Sequence, residues 1–233
     1  MDNAITVKDL SFCYKSKKEK NIVLEKRNMI FQRGNVYGIT GRSGAGKTTL
    51  LSLLGGLEKP DSGEISYEGK NIESIGFRKY RSKYVGFVFQ NFNLLDYMTA
   101  AQNVRTSIEI ANPKQKEDVY EILESLGITK EKADRNVNCL SGGEQQRVAI
   151  ACAIGKEAEV ILADEPTGNL DSQTAMEIFN VLKEIAHKKN KYVIVITHSP
   201  EIAKLCDIEM KLWSKKEEAV SFDKIIIWKM NKK

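Results

Sequence analysis

The sequence lacks several features that would define its class at once. It contains no run of the ~20 apolar residues that a membrane-spanning helix needs. Residues 1–8 lack the charged start and apolar stretch of a signal peptide, so the chain is expected to stay in the cytosol. Its four cysteines form no C-x-x-C pair and only two histidines are present. This composition disfavours a zinc site and predicts free thiols in a reducing compartment.

An excess of one charge is also lacking. The 233 residues include 36 Lys and Arg against 31 Asp and Glu, a formal net charge of +5, and the two signs are mixed along the chain. Without a long basic tract, this balance predicts no nucleic-acid partner. Hydrophobic residues make up 42% of the chain and charged residues 29%. These proportions predict a folded protein with a sizeable core and a polar surface.

Short apolar runs alternate with stretches of helical spacing, a pattern typical of α/β proteins. The runs near residues 160–163 and 192–197 are almost entirely apolar, as expected for parallel strands that are buried on both faces. The other predicted strands are 5–14, 21–32, 36–40, 64–67 and 84–89. The predicted helices are 48–57, 119–126 and 173–187.

Strand signals become scarce after Gln90 and return only near residue 160. We therefore predict a mostly helical insertion there. The whole chain, 1–233, is predicted to be one domain. Its core and an N-terminal β portion would comprise residues 1–89 and 156–233, and a helical subdomain would comprise residues 90–155.

A glycine-rich loop follows the predicted strand 36–40 and opens a helix, and it matches the phosphate-binding pattern G-x-x-x-x-G-K-[ST]. Glycines let the backbone wrap closely around phosphate oxygens, and exposed N–H groups at a helix start attract anions. Lys47 is predicted to contact the β- and γ-phosphates, and Thr48 to bind Mg²⁺. The predicted nucleotide-binding residues here are Gly41, Arg42, Ser43, Gly44, Ala45, Gly46, Lys47, Thr48 and Thr49.

Two carboxylates end the buried strand that begins at Val160. Asp164 is placed to hold Mg²⁺, as the acid at a strand tip does in phosphate-loop enzymes. Glu165 is the next residue, so its side chain should point to the other face of the strand and address the attacking water. Together with the phosphate loop, this pair predicts hydrolysis of a nucleoside triphosphate.

A second phosphate-binding helix start lies at residues 140–147, with the sequence L-S-G-G-E-Q-Q-R. Ser141 is a good N-cap, and Gly142 and Gly143 leave room for a phosphate near the backbone. The segment resembles the L-S-G-G-Q signature of ABC-type ATPases, with Glu144 at the position of the more frequent glutamine. The expected fold is therefore the phosphate-loop α/β core of that family, with an N-terminal antiparallel β portion and an inserted helical subdomain.

The resemblance extends, in order, over roughly residues 4–213, and it implies further roles. Tyr14 resembles the aromatic residue that stacks on adenine, and Gln90 the glutamine that contacts Mg²⁺ or water. Residues 168–171 resemble the loop after the catalytic glutamate, and His198 the histidine that contacts the γ-phosphate. The resemblance implies ATP and Mg²⁺ as ligands, catalysis by Glu165, His198, Gln90 and Lys47, and a metal site formed by Thr48, Gln90 and Asp164.

Partners and location follow from the same resemblance. Family members form head-to-tail dimers in which each signature completes the other subunit's site. We therefore expect a homodimer, or pairing with a similar ATPase subunit, on the cytoplasmic face of the cell membrane. A separate permease would carry the cargo.

Residues 84–90, 92–95 and 163–171 resemble one subgroup, the ATPases of macrolide exporters, lipoprotein-releasing systems, FtsE and antimicrobial-peptide resistance systems. Export or extraction of a peptide, lipid-linked or drug-like substrate is expected. An FtsE-like subunit that transmits conformational change without moving cargo is the alternative. A DNA-repair or chromosome ATPase is disfavoured, because residues 48–141 contain neither sustained heptads nor cysteine clusters.

Three segments have two interpretations each. Tyr14 could instead be a core aromatic residue of its strand. The crowded apolar side chains of residues 92–98 could pack within the insertion or form a surface for a partner. The stretch 219–228, with the lysines that follow it to Lys233, is predicted to be an edge strand with a frayed tail rather than a membrane-binding foot.

Overall fold

The computed structural model describes residues 3–15, 20–115, 117–213 and 228–230. Within these ranges, no helix is long and apolar enough to cross a membrane. The strands, in chain order, are β1 (Ala4–Lys15), β2 (Lys20–Gln32), β3 (Val36–Thr40), β4 (Ser62–Tyr67), β5 (Lys70–Asn71), β6 (Val85–Phe89), β7 (Val160–Asp164), β8 (Tyr192–Ile196), β9 (Ile208–Lys211) and β10 (Trp228–Met230).

The α-helices, in chain order, are α1 (Lys47–Leu54), α2 (Ile72–Ile75), α3 (Phe77–Tyr84), α4 (Ala100–Ala111), α5 (Val119–Ser125), α6 (Lys130–Ala133), α7 (Gly142–Gly155), α8 (Ser172–His187) and α9 (Pro200–Leu205). A 3-10 turn covers Val137–Cys139.

The strands form two sheets. The first is antiparallel, with the order β2-β1-β4-β5, and the second has the order β10-β9-β3-β8-β7-β6. In the second sheet, the pairs from β9 to β6 are parallel and only β10 runs antiparallel to its neighbour. The mixed α/β architecture with an antiparallel β portion, predicted from the sequence, is confirmed.

The apolar strands of the second sheet are buried, as their composition predicts. All five residues of β8 are buried, as are the first four of β3 and of β7. Helices cover both faces of such a sheet, so its strands need apolar side chains on both sides. One core cluster lies between this sheet and the helices that include α4, α7 and α8, and the other between it and the antiparallel sheet with α1.

Arg33 connects the two sheets through charge and ring contacts. Its guanidinium bonds to Glu68, which follows β4, and lies 2.5 Å from Glu159, just before β7. It also stands over the ring of Tyr192 at 4.7 Å. Because Glu159 also pairs with Lys191 at 2.5 Å, its half-buried carboxylate is well compensated. Burial raises the pKa of that carboxyl, but the two cations outweigh burial and hold the pKa below its usual value.

Several predicted elements need correction. The predicted helix 48–57 ends at Leu54, and its stop lies at Gly55 and Gly56, as their residue type predicts, because both close it with hydrogen bonds to preceding carbonyls. β6 begins at Val85, since Tyr84 is the last residue of α3. Helices α2 and α3 were not predicted. Asn71 caps the first by accepting a hydrogen bond from the Glu73 N–H.

From Gln90 to Glu159, the described residues form helices and turns and contribute no strand to either sheet. The predicted division of the chain at residues 90 and 155 stays a prediction. The predicted tail, 219–233, lies outside the described residues except for β10, which pairs with β9 through Trp228 and Met210. Residues 16–19, between the predicted strands 5–14 and 21–32, also lie outside them.

Candidate active site

A cavity of about 1030 Å³ lies beside the carboxyl ends of the parallel strands β6, β7 and β8 and the loop after β3. This edge of a parallel sheet is where α/β proteins bind ligands. Of the residues predicted from the sequence, those that line it are Tyr14, Ser43, Gly44, Gly46, Lys47, Thr48, Thr49, Gln90, Asp164, Glu165 and His198.

The phosphate loop has the backbone that its glycines permit. Gly46 has φ 92°, and a Cβ there would lie 2.7 Å from Val23 Cγ1. Gly41 has φ 149°, and a Cβ there would lie 2.3 Å from the carbonyl oxygen of Leu212. Any other side chain at either position would therefore meet both strain and a clash. The remaining predicted members, Arg42 and Ala45, close the loop by a hydrogen bond of 3.2 Å from the Ala45 N–H to the Arg42 carbonyl.

Lys47 folds back onto this loop. Its Nζ donates to the carbonyl oxygens of Gly41 and Arg42 at 2.9 and 3.0 Å. Burial lowers the pKa of this ammonium, and the charges of Glu165 and Asp164 partly oppose that shift. The ammonium is thus desolvated and held over a loop whose N–H groups form a nest, which favours a polyanionic ligand.

Asp164 and Thr48 meet next to Lys47. Burial raises the pKa of Asp164, and the nearby Thr48 hydroxyl and the charges of Lys47 and His198 only partly offset this. A carboxylate and a hydroxyl are hard oxygen donors, the type that Mg²⁺ prefers. The donor set therefore suits that ion.

Glu165 and His198 are brought together although 33 positions separate them. The Glu165 Oε2 accepts a hydrogen bond of 3.2 Å from the His198 backbone N–H. Its Oε1 lies 3.2 Å from His198 Nε2, without the alignment of a hydrogen bond. They meet because β7 and β8 are neighbouring parallel strands, paired at Asp164 and Ile196. The sequence predicted a role for each residue but not their contact.

Gln90 is held by a residue that the sequence analysis considered only as part of a loop. The Gln90 Nε2 donates to the Oδ1 of Asn169 at 3.0 Å, and the Asn169 Nδ2 donates to the Gln90 carbonyl at 3.3 Å. No sequence signal identifies this pair, because the two residues are 79 positions apart.

Tyr14 stands at the mouth of the cavity rather than in the core, with 48% of its surface exposed. Its hydroxyl lies 3.4 Å from Thr49 Oγ1. The ring of Phe12 meets it edge-on, with centroids 5.0 Å apart. An exposed ring supported from one side is what base stacking requires.

The signature residues line a different cavity of about 350 Å³. Ser141 caps α7 by a capping box with Glu144, and the helix begins at Gly142. Gly143 packs so closely on Thr174 that a Cβ would lie 2.5 Å from its methyl carbon. The structure therefore does not bring Ser141, Gly142 and Gly143 together with the phosphate loop of the same chain.

The parallel sheet, the phosphate loop and the acidic strand end define a phosphate-loop nucleoside-triphosphatase. The family model described as ABC transporter matches residues 24–168. A Bacillus subtilis relative, an uncharacterized ABC transporter ATP-binding protein named YclH, is 45% identical over 206 residues, which cover 87% of this chain and 90% of the relative.

Other relatives agree with this match. The lipoprotein-releasing system ATP-binding protein LolD of Treponema denticola is 38% identical, with 93% of this chain and 98% of the relative covered. Among solved structures, the dimeric ATP-binding cassette MJ0796 bound to ADP and phosphate aligns with a TM-score of 0.82 and 32% identity, covering 91% of this chain and 96% of that one. The chain belongs to the ABC transporter family of ATP-binding subunits, and it is an ABC-type ATPase of the group that includes LolD and MacB.

Proposed function

We propose that the chain works as a homodimer, on the cytoplasmic face of a membrane, and couples ATP hydrolysis to a separate permease. The observation that carries this proposal is the separation of the signature from the phosphate loop in two cavities. A head-to-tail pair would place each signature over the partner's nucleotide. The dimeric MJ0796 cassette, a bacterial ABC transporter cassette, supports this arrangement.

In the proposed site, the phosphate loop and Lys47 bind the triphosphate, and Tyr14 stacks on the adenine. Thr48, Asp164 and Gln90 would hold Mg²⁺, which supplies charge neutralisation at the phosphates when bound. The desolvated carboxylate of Asp164 suits this role, since burial holds the pKa of its carboxyl above the ordinary value. The signature of the partner subunit would complete the phosphate contacts through Ser141, Gly142 and Gly143.

Glu165 is the proposed general base. Its carboxylate would accept a proton from the attacking water, and the contact with His198 would hold it in place. The His198 ring, largely exposed toward the cavity, would contact the γ-phosphate. Most of the catalysis would be positioning and charge stabilisation, as in other phosphoryl-transfer enzymes.

The proposed cargo is a peptide, a lipid-linked molecule or a drug-like compound. This proposal rests on relatives named as lipoprotein-releasing and macrolide-export ATP-binding proteins. An FtsE-like role without cargo is the alternative, and the membrane protein that copurifies with the chain would distinguish the two.

The dimer is tested by Ser141→Arg, which would place a bulky cation where the partner's γ-phosphate docks. We expect the variant to bind ATP as a monomer but to form no ATP-dependent dimer in light scattering. Mixed with Glu165→Gln subunits, it should allow one composite site at most. Dimer formation by the Ser141→Arg variant alone would contradict the proposal.

A further inference from the structure

Two amides face each other where the loop after β6 meets the loop after β7. Asn169 makes two hydrogen bonds to the same residue, one to the side chain of Gln90 and one to its backbone. The side chain of Gln90 can approach the loop after β7 this closely because residue 168 is glycine. A Cβ on Gly168 would lie 3.0 Å from Gln90 Nε2 and 3.4 Å from its Cδ.

The backbone contact fixes the orientation of both amides. A backbone carbonyl can only accept, so the end of Asn169 that meets the Gln90 carbonyl must be its Nδ2. The other end, Oδ1, then faces the side chain of Gln90 and can only accept. The atom of Gln90 that meets it at 3.0 Å must therefore be the donor Nε2.

This orientation has a chemical consequence for the cavity that Gln90 lines. With Nε2 engaged by Asn169, the oxygen Oε1 is the end left for other partners, and no described residue donates to it. Only this oxygen can bind a cation or accept a hydrogen bond from water. A reversed amide would present N–H groups to a metal ion instead.

We propose that Asn169 is a positioning residue that turns the carbonyl oxygen of Gln90 toward the bound metal ion and water. The inference rests on the proposed role of Gln90 at the Mg²⁺ site. Asn169 itself lies among the signature residues in the second cavity. It therefore acts on the nucleotide site from the second cavity, through its hydrogen bond with the side-chain amide of Gln90.

The first test removes the acceptor with Asn169→Leu, a change that keeps the size of the side chain. Mn²⁺ replaces Mg²⁺ as the probe, and its affinity for the ATP-bound protein is measured by electron paramagnetic resonance. We expect the affinity to fall about tenfold, as typically happens when a residue that orients a metal ligand is lost. Asn138→Leu is the matched control, because its amide also bonds to a backbone carbonyl, that of Asp96 at 3.0 Å, and is remote in sequence from Gln90.

The second test asks whether Asn169→Leu lowers Mn²⁺ affinity by changing the orientation of the Gln90 amide. In Gln90→Glu, both terminal atoms of the side chain are oxygens, so the orientation of this group should no longer matter. In that background, Asn169→Leu should change Mn²⁺ affinity by less than about twofold, within ordinary additivity. An equal loss in the Gln90 and Gln90→Glu backgrounds would show a merely structural role and overturn the proposal.

A third measurement needs neither metal nor nucleotide. In protein labelled with ¹⁵N-glutamine, the Gln90 side-chain amide signal, assigned by its loss in Gln90→Glu, should shift in Asn169→Leu and stay in place in Asn138→Leu. An unchanged signal in Asn169→Leu would overturn the orienting contact. If Gln90→Ala leaves Mn²⁺ affinity unchanged, the metal role of Gln90 fails, and the positioning proposal fails with it even if the amide signal shifts.

Discussion

The Glu165→Gln substitution tests the proposed base with little disturbance of the fold. Glutamine has the same shape, and its Oε1 can still accept the hydrogen bond from the His198 N–H, which is 3.2 Å long in the native chain. Its amide Nε2 then faces the imidazole nitrogen that the native Oε1 approaches at 3.2 Å, and a neutral imidazole can accept that bond. The melting temperature without nucleotide should therefore change little.

Hydrolysis should respond quite differently. Proton transfer by a positioned side chain contributes about 10²–10⁴-fold to the rate, and each factor of ten corresponds to about 1.4 kcal/mol. Loss of the base should thus raise the barrier by about 3–5 kcal/mol. ATP affinity should persist, since the phosphate loop and Lys47 are intact. ATP should then accumulate in a stable dimer.

The assay combines steady-state phosphate release, calorimetric ATP binding and light scattering with ATP. Glu201→Gln is a matched control, because this exposed carboxylate lines the same cavity and belongs to α9. It should keep the turnover rate within about twofold, as expected for a surface change of ~0.5 kcal/mol. If Glu165→Gln hydrolyses ATP near the wild-type rate, the assignment of the base is wrong.

Three further predictions address the other parts of the site. Lys47→Ala removes the proposed charge-assisted contact to the phosphates, so ATP binding should weaken by about 1.5–3 kcal/mol in calorimetry, and an unchanged affinity would refute that contact. Asp164→Asn should raise the melting temperature without nucleotide at neutral pH but abolish Mg²⁺-dependent hydrolysis. Because the pKa of Asp164 is raised in the folded state, its charged form destabilises the fold. The gain in melting temperature should therefore fade as pH falls through that pKa, and a gain independent of pH would refute the raised pKa. Leu95 is 36% exposed, while its backbone N–H and carbonyl are held by the buried amide of Asn103. Leu95→Asp should therefore leave the melting temperature unchanged but prevent copurification with the permease, and a large fall in melting temperature would mean that Leu95 is part of the core.

The parallel sheet could be predicted because its strands carry the signal in their own residues. β8 consists only of apolar or aromatic side chains and is buried throughout. The phosphate loop was equally accessible, since its glycines are required by local backbone geometry. Such features depend on near neighbours in the chain, which a sequence displays directly.

Helix α3 shows how a signal can be present and still be missed. Phe77, Tyr80 and Tyr84 follow helical spacing and face the core, and Tyr80 is fully buried. The other positions are dominated by Arg and Lys, and the sequence analysis assigned no element to this segment. Periodicity rather than mean polarity was the informative property here.

The contact between Glu165 and His198 could not be predicted, because it depends on the order of strands in the sheet. The sequence placed both residues at strand ends, but it did not show that β7 and β8 are neighbours. The positive φ of Glu165, 50°, was equally hidden. A left-handed conformation costs about 1–2 kcal/mol for a residue with a side chain.

That conformation persists because two contacts oppose its cost. The Glu165 N–H donates to the carbonyl of Ile196 at 3.0 Å, and its carboxylate accepts from the His198 N–H. Ile196 is the last residue of β8 and His198 follows two residues later, so the end of the neighbouring strand holds Glu165 in a conformation that its own sequence disfavours. The same bend removes Glu165 from the alternating side-chain pattern of β7. Strand alternation alone therefore does not set the direction of the Glu165 side chain. The positive φ at residue 165, held by the end of β8, also sets it.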